Sequence, residues 1–104
     1  MNFLLNITYK DSFYALPVEK RTEIVGKTVA FHDKYLKAGK LKDTYTCGNA
    51  KLILVWNVAS LAELMVIFME HPYYGLVDFE AVPFLDHKEI VELRNARATA
   101  IKTK

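Results

Sequence analysis

The stretch KLILVWNVASLAELMVIFM, residues 51–69, decides how the rest of the chain is read. As one apolar run it has the length of a membrane span. Asn57, Ser60 and Glu63 interrupt it, and their order points elsewhere. Residues 51–58 are dense in branched and aromatic side chains, the composition of a strand. Ser60-Leu61-Ala62-Glu63 is a capping box: the serine oxygen accepts from the exposed amides of a helix and the glutamate reaches back. The stretch is therefore a strand, a short connection and a helix. The helix ends at His71-Pro72, because the residue before a proline avoids helical angles.

Upstream, LKDTYTCG (41–48) alternates and reads as a strand, joined to 51–58 as a hairpin through Gly48-Asn49. Residues 16–39 form a long amphipathic helix, with Pro17 in its first turn, Glu19 near its positive end and Gly39 at its exit. FLLNITY (3–9) is a first strand. Downstream, 77–85 is a fourth strand, and Pro83 is expected to put it at a sheet edge or to end it nearby. Asp86-x-x-Glu89 caps a short last helix reaching about residue 98, after which the chain is expected to fray. The order is β-α-β-β-α-β plus a terminal helix. It predicts one α+β, ferredoxin-like domain over 1–104: a four-stranded antiparallel sheet with two helices on one face.

Composition narrows the function. The net charge of +2 comes from interspersed lysines and carboxylates, so no basic block offers a nucleic-acid footprint. Cys47 is the lone cysteine, which rules out an intrachain disulfide and makes no metal site. No glycine-rich phosphate motif, metal-ligand spacing or signal-peptide pattern stands out. A cofactor-free protein in a reducing cytoplasm, off the membrane, is the simplest expectation. Strand 51–58 is apolar at Leu52, Leu54 and Trp56 and also at Ile53 and Val55. A sheet covered on one side should be wetter on the other, so the second face is expected to bury against another copy, as a homodimer or a larger ring.

One residue resists a structural reading. At about 100° per residue, His32 falls on the side of Val25, Val29 and Leu36, while Lys20, Lys27, Lys34 and Lys37 fall on the other. An ionisable group thus sits on the inner face, where a histidine can act as general acid or base near neutral pH. His71, at a helix end, is expected to serve as a cap.

The segment WNVASLAELMVIFMEHPYYGLVDFEAVPFLDH (56–87), with the Gly39-Lys40 step, resembles the muconolactone isomerase family of the dimeric α/β-barrel superfamily. The resemblance implies cofactor-free isomerisation of a lactone by moving a proton between carbons, in a ring-like assembly. Thr28 and Val29 stand where the family pattern has a Glu-Lys type pair. FHDKYLKAGKL with HPYYGLVDFEAVPF also resembles the YciI-like family, whose proposed chemistry uses a His-Asp pair. His32 matches that histidine, and Asp43 is the carboxylate expected to approach from across the fold, with Tyr45 on the same strand face. The expected catalytic set is His32, Asp43 and Tyr45, and the expected substrate contacts are Lys40, Trp56, Tyr73 and Glu80. The alternatives are a cofactor-free monooxygenase, a YciI-like enzyme, or a ligand-binding or assembly module without chemistry.

Overall fold

The computed structural model describes residues 1–102. Its elements are β1 (Asn2–Tyr9), α1 (Asp11–Tyr14), α2 (Val18–Lys37), β2 (Leu41–Cys47), β3 (Lys51–Asn57), α3 (Leu61–Met69), β4 (Val77–Phe84) and α4 (His87–Lys102). The four strands form one antiparallel sheet in the order β2-β3-β1-β4, the ferredoxin-like arrangement the sequence predicts. The run at 51–69 divides into strand and helix as read, and no described helix is long and apolar enough to cross a membrane.

Strand alternation places the core. Phe3, Leu5 and Ile7 of β1 lie opposite Trp56, Leu54 and Leu52 of β3, and all six are buried. Leu64, Ile67 and Phe68 of α3 and Ile24 of α2 close over them. Pro83 lies on the edge strand β4, where its missing N–H leaves no central ladder bond unmade.

The two capping signals behave differently. Ser60 Oγ accepts from the Glu63 backbone N–H at 3.1 Å, but the Glu63 carboxylate turns away to pair with Lys40 Nζ at 3.1 Å. At the start of α4 the box closes both ways: Glu89 N–H donates to Asp86 Oδ1 at 2.8 Å and Asp86 N–H to Glu89 Oε1 at 3.1 Å. Gly39 ends α2 with φ of 76°, which lets its N–H reach Leu36 O and the Lys40 N–H reach Tyr35 O, each at 3.1 Å.

Four local features depart from the sequence reading. The one-turn helix α1 forms because Phe13 is buried and stacks on Tyr9 at 4.8 Å. In the β2–β3 turn the left-handed residue is Ala50, not a glycine. The last helix runs to Lys102 rather than about residue 98. From Val91 to Ile101 its residues are exposed, and the molecule measures 64 × 27 × 23 Å. The fourth departure concerns the site. The β2–β3 register shifts between Leu41 and Asp43, so Lys42 is an extra residue and the strand's parity resets. Thr44 and Thr46, opposite Leu54 and Leu52, therefore face the helices. Asp43 and Tyr45, opposite Val55 and Ile53, face the other side of the sheet. Unbroken alternation from Leu41 would have given the reverse.

Candidate functional site

The buried stripe of α2 is Ile24, Thr28 and His32, flanked by half-buried Phe31 and Tyr35. Val25 and Val29, expected in the core, are 43% and 55% exposed. Only a narrow stripe of α2 meets the sheet, and these valines form a rim beside it.

Beneath that rim, between α2 and β2, is a cavity of about 220 Å³. Leu52 and the two valines give it apolar walls, and its polar groups come from Tyr9, Thr28, His32, Thr44, Thr46 and Tyr73. Among the described residues no carboxylate or ammonium lines it. The Thr28 hydroxyl is already committed to Ile24 O at 2.9 Å. Burial, reinforced by the neighbouring Tyr73 hydroxyl, raises the Tyr9 pKa, so that phenol stays protonated and can donate.

His32 meets His71 here. Their Nε2 atoms are 2.9 Å apart, and His71 Nδ1 accepts the Tyr73 backbone N–H at 3.0 Å. His71 is 3% exposed and His32 9%. The rings of Phe31, Phe68 and Tyr73 pack around His71 with centroids 4.9, 5.4 and 5.2 Å away. Burial, with a smaller contribution from the facing His32, drives the His71 pKa down to about 3. Burial lowers that of His32 as well, against the opposing pull of Asp33. Both imidazoles are therefore neutral at pH 7.

His71 is the functional candidate that sequence reasoning missed. At a helix end before proline it looked like a cap; the turn instead folds it inward, with Tyr74 N–H on His71 O at 2.9 Å. The only hint in the sequence was its aromatic flank, Phe68 and Tyr73.

The structure joins His32 with Tyr73 and separates the other expected residues from them. Asp43 and Tyr45 bond each other at 2.7 Å on the far face of the sheet, where Asp43 raises the Tyr45 pKa. Lys40 is held by Glu63. Trp56 is sealed against Tyr35, its Nε1 without a partner among the described residues, and does not reach the cavity. Glu80, opposite Asn6, also lies on the far face.

The two converging Nε2 atoms are poor metal ligands as placed. A metal on His71 Nε2 would require the proton on Nδ1, and that atom faces the Tyr73 N–H. No group of three or more His, Cys, Asp or Glu among the described residues could hold an ion.

Sheet order, helix placement and a cavity beneath the first long helix define a ferredoxin-like α+β protein with a helix–sheet pocket. The fold is that of muconolactone isomerase: a crystal structure of that enzyme matches with a TM-score of 0.59, over 84% of this chain and 91% of that one, at 20% identity. No protein-family model and no curated protein matches the sequence.

Proposed function

We propose that this chain is a cofactor-free enzyme that moves a proton on a small carbonyl compound, such as an unsaturated lactone, in the cavity beneath α2. The observation that carries the reading is His32: a neutral imidazole on the cavity wall, with one ring nitrogen engaged by His71 and the other without a protein partner among the described residues. The lactone is taken from the name of the structural neighbour. The cavity, about 220 Å³, lies below the roughly 300–1,000 Å³ of pockets for drug-sized ligands, which favours a compact metabolite.

We further propose that the protein works as a homodimer or ring in a reducing cytoplasm. Leu4, Ile53, Val55 and Val82 share the sheet face opposite the helices, and each retains exposure in the isolated chain. A sheet-to-sheet partner would cover that strip.

The test is deuterium incorporation from D₂O into an unsaturated γ-lactone, followed by NMR, with melting measured in parallel. His32→Leu, which keeps the bulk of the side chain and removes its polar ring, should keep the fold and slow exchange by roughly 10²–10³-fold, the loss expected when a donor to a developing oxyanion is removed. A variant that melts earlier yet exchanges at the wild-type rate per folded molecule would overturn the role of His32. A binding module without chemistry is the second reading, favoured by the lack of a carboxylate in the lining. Binding without any exchange would establish it.

A further inference from the structure

We infer that His71 is a positioning residue: it fixes His32 in the tautomer with its proton on Nδ1, so the cavity presents a hydrogen-bond donor that takes a carbonyl oxygen. The inference rests on the proposed role of His32 at the cavity wall.

A backbone N–H can only donate. The Tyr73 N–H donates to His71 Nδ1 at 3.0 Å, so that nitrogen holds the lone pair. A neutral imidazole has one lone-pair nitrogen and one N–H, which puts the His71 proton on Nε2. That proton lies on the 2.9 Å line to His32 Nε2, which must accept it. Neutral His32 therefore carries its own proton on Nδ1. The reverse assignment would set two N–H groups head to head, or leave the Tyr73 amide without its acceptor. The direction of the chain is thus set by a backbone amide and passes through His71 to His32.

His32 Nδ1 has no protein partner among the described residues and is not sealed off. It is the ring nitrogen left for the cavity. In this tautomer, with Nε2 accepting from His71, it donates, and the proton that leaves the substrate carbon passes to solvent water. A neutral imidazole N–H aimed at a carbonyl polarises it and stabilises charge developing on the oxygen. The Tyr9 and Tyr73 hydroxyls in the same lining bond each other and leave one further donor between them. With no carboxylate in the lining, the cavity suits an oxygen acceptor better than an ammonium.

The test is a long-range ¹H–¹⁵N spectrum of the full-length ¹⁵N-labelled protein at pH 7, free of ligand. The expected result is His32 with its proton on Nδ1 and His71 with its proton on Nε2. His71→Phe, which has no donor, should move His32 towards the Nε2–H tautomer that free imidazoles favour. His71→Gln, whose amide can still donate, should restore the wild-type pattern. If His71→Phe does not fold, the wild-type and His71→Gln spectra still decide. A wild-type His32 protonated on Nε2, or a folded His71→Phe with an unchanged His32 tautomer, overturns the inference. Failure of the lactone exchange assay would overturn the proposed reaction and leave these spectra unaffected, so the two failures are distinguishable.

Discussion

The Nε2 atoms of His32 and His71 stand 2.9 Å apart in a buried contact, across 39 positions of sequence. That contact ties helix α2 to the turn after α3 and makes folding depend on pH. An unfolded histidine titrates near 6.5, whereas His71 in the fold is lowered to about 3 and His32 is lowered too. Between those values the unfolded chain binds more protons. Stability is therefore full above about pH 6.5 and is lost as the pH falls towards the folded values. His71 contributes a slope approaching about 1.4 kcal/mol per pH unit once its unfolded form is protonated, and His32 adds to it in the same direction. Urea unfolding between pH 6.5 and 5, above the range of ordinary carboxylates, should show this decline, and His71→Phe should remove the His71 share. A flat profile in the wild type would contradict the buried neutral pair.

The bulge at Lys42 makes a separate prediction about Asp43. Because Asp43 and Tyr45 face away from the cavity and bond each other, Asp43→Asn should leave proton exchange at the wild-type rate. A loss in the roughly 10²–10⁴-fold range of a missing acid or base would mean that Asp43 serves a site built across two subunits.

The far face of the sheet predicts association. Val55 lies at its centre, between Leu4 of β1 and Asp43 of β2. Val55→Asp should convert the assembly to monomers in sedimentation velocity at micromolar concentration, with the secondary structure kept. A wild-type chain that sediments as a stable monomer would remove the basis for the proposed dimer.

The two halves of the Ser60 signal should separate energetically. Ser60→Ala removes the oxygen that accepts from Glu63 N–H and should cost about 1 kcal/mol. Glu63→Gln breaks the partly exposed pair with Lys40 and should cost less, about 0–1 kcal/mol. Chemical denaturation of both variants ranks them; a larger loss for Glu63→Gln would mean that the ion pair anchors α3.

Much of the fold was legible because its signals are local. Ser60, Pro72, Pro83 and the Asp86–Glu89 box mark boundaries by their own backbone and capping chemistry, and the alternation at 51–57 fixes which face is core. His32 was legible as an anomaly on a helix face. Its partner was not, since nothing near His71 encodes a contact 39 residues away. The inward orientation of Asp43 and Tyr45 was misjudged for a related reason. A single-residue bulge at Lys42 leaves no mark in the pattern of a polar strand such as LKDTYTC, yet it exchanges the two faces. Val25 and Val29 looked like core because periodicity reports the apolar side of a helix and not how much of it the sheet covers.

The cavity beneath α2 is proposed to receive a carbonyl compound at His32. The most direct measurement is an NMR titration of the full-length protein with 2(5H)-furanone and 2-cyclopentenone. Shifts should concentrate at Thr28, His32, Thr46 and Tyr73, with the His32 Nδ1–H moving most, and should be lost in a folded His32→Leu variant. Shifts that cluster elsewhere on the molecule, or that survive His32→Leu unchanged, would contradict it.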